Sequence, residues 1–196
     1  MTLRLIVGLC NPGKQYDETR HNAGSWFVEA LASRCNAQWR SDSKLFGRTA
    51  RVQYRGHDIH LLLPDTFMNL SGKSVAATAK FYKIQPEQIL IAHDELDLPP
   101  GTARFKLGGG HGGHNGLRDI IPALGNATGF YRLRVGIGHP GHAKAVSNYV
   151  LTKPSQDDKI AIDNIIDEAL SALDKLLDGD FAKAMTQLHS IAAGKP

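Results

Sequence analysis

The alternation of apolar and polar positions divides the chain into strands and helices that take turns. Residues 3–9 form a near-continuous apolar run, as an interior strand with both faces covered requires. After a polar loop through Arg20, Trp26, Phe27, Ala30 and Leu31 recur at helical spacing and predict a helix over 23–35. Residues 47–54 and 58–63 alternate, with Arg55, Gly56 and His57 between them, and read as a hairpin. Ser71 stands where it would cap a helix running to Tyr82. Buried strands follow at 89–92, 102–107 and 131–136, with a helix over 115–124 between the last two. Further on, Ile162, Ile165, Ile166, Ala169, Leu170, Leu173, Leu176 and Leu177 share one helical face and acids fill the other, the pattern of a helix docked on a core.

Strands alternating with helices, plus one hairpin, predict an α/β fold of three layers: a mixed, twisted β-sheet with helices on both faces. The 196 residues suffice for one such core and are too few for two ordinary domains, so 1–196 is read as a single domain that includes the C-terminal helices of about 155–190. In folds of this kind ligands gather beyond the carboxyl ends of the strands. Three polar clusters fall there: Cys10-Asn11-Pro12-Gly13, His93-Asp94-Glu95, and the loop that opens at Gly108.

Composition narrows the class. With 42% hydrophobic and 21% charged residues the chain is globular rather than disordered. No apolar run approaches the roughly 20 residues of a membrane span, and the start reads as a strand rather than a leader. Two cysteines, Cys10 and Cys35, make no disulfide framework, which fits a reducing cytosol and a cytoplasmic protein. Cys10 itself reads as a small buried side chain, since nothing near it marks an activated thiolate. The net charge of +4 is unevenly spread: residues 101–144 carry six basic side chains against one acid, and 155–180 carry eight acids against two lysines. The basic middle reads either as footing for a polyanion or as decoration of strand edges.

Several motifs bear on chemistry. Gly8 through Lys14 fits G-x-x-x-x-G-K, the front of a phosphate-binding loop, and residues 89–94 loosely resemble an apolar strand ending in a metal-binding Asp. Gln15 stands where a magnesium-holding hydroxyl is needed, and Pro12 removes a backbone N–H from the would-be cradle. An NTPase is thus a rival reading with two defects. His21, in Thr19-Arg20-His21-Asn22-Ala23, is by itself an ordinary surface or capping residue. Asp94, however, ends a buried strand where a carboxylate needs a partner, and a His–Asp hydrogen bond would fix the imidazole tautomer and raise its basicity. Asp97 is a second acid for that role. Asn11, Asn69 and Asn115 each stand at an element boundary, either as turn residues or as neutral amides that donate to and accept from peptide groups. Between Gly108 and Gly116 six of nine residues are glycine, which implies positive φ angles or close approach of backbone to a ligand. His111 and His114 lie in that loop without any cysteine, and neither metal nor cofactor is expected.

Taken in order, these segments resemble the bacterial peptidyl-tRNA hydrolase family. The resemblance is carried by residues 5–9 with Asn11-Pro12-Gly13, Tyr16 and residues 19–24, then by residues 67–72, 93–101, 108–117 and 131–140, and it covers about 3–151. It implies a monomeric, metal-independent esterase that cleaves the ester between peptide and tRNA. It further implies that His21 is the general base, Asp94 its orienting carboxylate, and Asn11 the residue that separates N-blocked substrates from free aminoacyl-tRNA. Tyr16, Phe67, Asn69 and Asn115 match its substrate-contacting positions, and Lys106 and Arg134, with Arg104 beside them, its phosphate clamp. Cys10 departs from the small residue, such as Ala, familiar at that position. The alternatives from other classes are the NTPase and a non-catalytic RNA-binding module.

Overall fold

The computed structural model describes residues 2–191; residue 1 and residues 192–196, which the sequence reading included in its single domain, lie outside the described residues. Four strands pair in parallel at the centre of one sheet: β4 (His57–Pro64), β1 (Leu5–Gly8), β5 (Ile89–Glu95) and β7 (Tyr131–Gly136). Antiparallel strands finish both sides, β3 (Gly47–Tyr54) and β2 (Arg40–Asp42) next to β4, and β6 (Ala103–Leu107) next to β7, giving the order β2-β3-β4-β1-β5-β7-β6. The mixed sheet is the one the sequence pattern predicts.

Helices cover both faces. On one, α1 (Ala23–Arg34), α5 (Gln156–Leu177) and α6 (Phe181–His189) bury Phe27, Leu31, Leu170 and Leu173 against Ile6, Leu61, Leu90 and Leu133. On the other, α2 (Ser71–Phe81) and α3 (Asn115–Ala123) bury Val75, Leu117 and Ile120 against Leu5, Val7, Leu62 and Ile91. A short helix, α4 (Val146–Val150), follows β7. The eight apolar residues picked out between Ile162 and Leu177 are all buried, as a docking helix demands. Ser71 does not cap α2. It is the first helical residue, and its hydroxyl donates to the Met68 carbonyl at 2.7 Å, because a three-residue 3-10 turn, Met68–Leu70, feeds directly into the helix. The sheet edge at β6 is closed by α6, where the Phe105 N–H donates to His189 Nε2 at 3.0 Å.

One contact of the core sets the geometry of the site. A Cβ at Gly24, in the first turn of α1, would overlap the Ala92 carbonyl oxygen and stand 3.0 Å from the His93 Cα. Both are backbone atoms that cannot swing aside, so glycine lets α1 lie directly on the end of β5 and brings the turn before it against Asp94. Gly24→Ala should therefore destabilise the fold by about 3 kcal/mol through overpacking. In a chain of this size that lowers Tm by roughly 10 °C. Calorimetry giving an unchanged Tm would show that the helix accepts a wider seat.

Candidate active site

Asp94 is the sixth residue of a strand whose side chains alternate, so it continues the row of Leu90 and Ala92 toward α1. His21 lies in the 3-10 turn Arg20–Asn22, immediately before α1. The two meet: His21 Nδ1 lies 2.9 and 3.0 Å from the two carboxylate oxygens, with His21 8% and Asp94 4% exposed. The partner is thus Asp94 and not Asp97. Burial alone would lower the His21 pKa, but the charge and hydrogen bond of Asp94 outweigh it and the imidazole ends above its ordinary value. For Asp94, burial would raise the pKa, and the two imidazoles beside it, His21 and His114, hold it far below the usual carboxylate range instead. An ionised acceptor fixes the tautomer. His21 carries its proton on Nδ1 and keeps a free lone pair on Nε2.

His114 is the second of those imidazoles, and the sequence reading weighed it only as a metal ligand. Its Nε2 donates to Asp94 Oδ1 at 2.7 Å, while its Nδ1 accepts from the N–H groups of Gly116 at 3.1 Å and Leu117 at 3.4 Å, capping α3. The signal was present: a histidine directly before an amphipathic helix stands where a cap is needed. His21, Asp94 and His114 do bring three ligand-type atoms within 4.8 Å of one another. Yet His114 spends its Nδ1 lone pair on backbone donors, so its proton must sit on Nε2, the only atom it could offer a cation. The third histidine, His93, is buried and neutral, its pKa pushed down to about 3 by burial first and by His114 beside it. Its Nδ1–H donates to the Asp94 carbonyl at 2.8 Å.

His21 stands where two hollows meet. One is a groove of about 450 Å³ lined by Asn11, Tyr16, Phe67, Asn69 and Asn115, with Val150 and Leu151 as its apolar wall. Tyr16 and Phe67 face each other edge to face, their centroids 6.3 Å apart. The other is a cavity of about 180 Å³ roofed by Gly110–His114 and lined by Asp94, Glu95, Lys106, Arg132 and Arg134. The structure thus gathers Asn11, Tyr16, Phe67, Asn69 and Asn115 in one groove and Lys106 and Arg134 in the adjoining cavity. Arg104 lines neither; it is exposed opposite Arg134 in the β6–β7 register.

Asn11 is more constrained than an amide free to donate and accept. Its side-chain oxygen accepts the Met68 N–H at 2.7 Å, so only its NH₂ faces outward. Asn22 holds it in place, accepting the Asn11 N–H at 2.8 Å and donating to the Asn11 carbonyl at 3.0 Å. The sequence reading missed this clasp, because an asparagine next to a histidine carries no signal of a bond eleven residues back. It also missed Glu95, which accepts from Arg134 Nε at 2.7 Å and leaves the terminal guanidinium nitrogens unoccupied by that pair. Cys10 is buried with its thiol directed at the Pro64 carbonyl, and burial pushes its pKa up to about 12, the opposite of an activated nucleophile. The G-x-x-x-x-G-K segment forms no phosphate cradle: Lys14 opens a three-residue 3-10 turn instead of a helix, and the Asn11 N–H is spent on Asn22.

Comparison with known proteins agrees with this architecture. A family model described as peptidyl-tRNA hydrolase matches residues 5–195. The peptidyl-tRNA hydrolase of Shewanella halifaxensis is 62% identical over 191 residues, covering 97% of this chain and 98% of its own. That of Yersinia enterocolitica is 57% identical over 193 residues, covering 98% of each chain. The crystal structure of peptidyl-tRNA hydrolase from Acinetobacter baumannii superposes with a TM-score of 0.94 at 51% identity, over 98% of this chain and 97% of that one. With its mixed sheet, its His–Asp pair and relatives that match it over 97% of its length or more, the chain belongs to the peptidyl-tRNA hydrolase family.

Proposed function

We propose that the chain hydrolyses the ester between peptide and tRNA with His21 as general base, Asp94 orienting it and Asn11 reading the peptide. The single observation that carries this is the His21 Nδ1–Asp94 contact at 2.9 Å, which leaves Nε2 unprotonated and more basic than an ordinary imidazole. A water gives its proton to Nε2 as its oxygen attacks the ester carbonyl. The tetrahedral oxyanion then collapses, the carbonyl carbon–oxygen bond to the ribose breaks, and the imidazolium proton passes to the departing ribose oxygen. An aminoacyl ester is already activated, so a base and a few neutral donors suffice for this step.

Asn11 faces the groove with its NH₂ alone. That donor suits the carbonyl oxygen of a peptide bond and mismatches a free α-ammonium, which has only donors to offer. Tyr16, Phe67, Asn69 and Asn115 line the path of the peptide, the two rings with apolar contact and the two amides with hydrogen bonds to its backbone, both indifferent to sequence. Lys106 and Arg134, with Arg104 outside, take the RNA phosphates, which suits an enzyme that must accept every tRNA through backbone rather than bases. We read the chain as a monomeric single domain of the cytoplasm; the thiols of Cys10 and Cys35, neither in a disulfide, suit a reducing compartment.

The test is release of tRNA from N-acetyl-aminoacyl-tRNA beside unblocked aminoacyl-tRNA, with EDTA and without nucleotide. Cleavage of the blocked ester alone is expected. Tight tRNA binding without cleavage of either would leave a binding module. Arg134→Ala should weaken tRNA binding and reduce the salt slope by about 1, one phosphate contact fewer. An unchanged slope in filter-binding titrations would remove Arg134 from the clamp.

A further inference from the structure

The glycine-rich loop has two anchors, and only one belongs to the His21–Asp94 pair. At the far end His114 holds Asp94. At the near end the anchor is Arg132 on β7, which is 3% exposed. Its two terminal nitrogens donate to the carbonyls of Gly109 and Gly110, and its guanidinium carbon lies 5.1 Å from the centroid of the Phe130 ring. Among the described residues no carboxylate pairs with it, since Glu95 is taken by Arg134, and its Nε is buried without a partner. A guanidinium buried without a counter-ion is unfavourable unless its hydrogen bonds do something specific.

The loop needs such a hold. Gly108, Gly109, Gly112 and Gly113 have φ of 73°, 94°, 58° and 84°, and a glycine run loses more chain entropy on ordering than any other sequence. Glycines also have no side chains to pack, so their carbonyls are the handles available. Arg132, with two parallel donors on a rigid strand, grasps two of them at once.

We propose that Arg132 is a positioning residue that latches the glycine-rich loop, seats His114 and Asn115, and thereby sets how Asp94 is shared between His114 and His21. With the loop latched, the carboxylate accepts from both imidazoles. With the latch gone, only the cap on α3 still holds His114, its bond to Asp94 loosens, His21 takes the larger share of the carboxylate and becomes more basic, and Asn115, at the first turn of α3, shifts beside the groove. The charged and titratable groups lining the two hollows beside His21 are His93, Asp94 and Glu95 on β5, Asp97 just after it, His111 and His114 on the loop, Lys106, Arg132 and Arg134 across the cavity, and Tyr16 in the groove. Of these His111 and His114 ride on the loop, and only His114 bonds to Asp94, since His111 Nδ1 accepts from the Gly113 N–H within the loop. The inference rests on reading His21 as the base.

The experiment compares the intact chain with Arg132→Gln and Arg132→Lys by hydrogen exchange, the pH dependence of kcat/KM, and the salt dependence of tRNA binding. In Arg132→Gln, amides 108–114 should exchange at least about tenfold faster. Displacement of Asn115 should lower kcat by about tenfold. The acidic limb of kcat/KM should move to higher pH, because a more basic His21 must lose its proton before it can act. The salt slope should not change, since Arg132 is buried. Arg132→Lys should shift in the same directions, as one ammonium cannot reproduce two parallel bonds. An unmoved limb and an unchanged loop in either folded variant would overturn the proposal. So would a slope reduced by about 1, which would make Arg132 an RNA contact. In the wild-type protein, loop amides exchanging at the rate of an unstructured chain would overturn it without any variant. A wild-type profile with no acidic limb would instead refute His21 as base.

Discussion

His21→Ala is expected to lower the rate of ester cleavage by about 10³-fold, the middle of what a positioned general base supplies. Binding of tRNA should be retained. The fold should survive because the substitution does not orphan the buried carboxylate: Asp94 Oδ1 still accepts the His114 Nε2–H at 2.7 Å. The His21 side chain is bonded to Asp94 and to none of the groove residues Tyr16, Phe67, Asn69 and Asn115 or the cations Lys106 and Arg134, so these lose no hydrogen bond and keep their positions. Single-turnover hydrolysis of N-acetyl-aminoacyl-tRNA, alongside filter binding, checks both halves. A rate within a few-fold of wild type would mean that another group activates the water.

The second large effect is Asp94→Asn, and here His114 decides the outcome. Its Nδ1 is committed to the N–H groups of Gly116 and Leu117, so its Nε2 can only donate. The amide oxygen of an asparagine at 94 must therefore turn toward His114, which leaves the NH₂ group facing His21 Nδ1. A donor there forces the His21 proton onto Nε2, and the lone pair that abstracts a proton from water is gone. An equivalent carboxylate-to-amide change in a Ser-His-Asp triad leaves the geometry intact and lowers kcat about 10⁴-fold by selecting the wrong tautomer. A loss of about 10³ to 10⁴ is expected here, with tRNA affinity unchanged. If Asp94→Asn retained a tenth of wild-type activity or more, the carboxylate would be a packing partner rather than the group that sets the tautomer.

Much of the fold was legible from periodicity. The strands at 89–92, 102–107 and 131–136 appear within a few residues of their expected bounds, and β5 runs on to Glu95 because His93 and Asp94 stay extended to reach their partners. The hairpin is present at Gly47–Tyr54 and His57–Pro64. Ser71 failed as a cap because its hydroxyl closes a preceding turn, a local competition that the spacing of apolar residues does not encode. For the site, the polar and aromatic residues gathered around His21 were legible in the sequence, but their supports and the apolar wall of Val150 and Leu151 were not. Asn22, Glu95, His114 and Arg132 act through bonds to residues 11, 39, 20 and about 22 positions away. Such partners depend on strand register and loop path, which periodicity does not specify. The glycine-rich loop shows the limit well. Its composition announced unusual backbone, but whether it offered N–H groups to a ligand or carbonyls to Arg132 was a matter of tertiary contact.

Ring-nitrogen NMR of His21 across a pH titration, set beside the pH dependence of kcat/KM, decides whether this imidazole is the base. Neutral His21 is expected to carry its proton on Nδ1 and to titrate above the ordinary imidazole value, because Asp94 outweighs burial. The acidic limb of kcat/KM should coincide with that titration, since protonating Nε2 removes the base. A neutral His21 protonated on Nε2, or a limb that does not follow its titration, would show that His21 is not the base.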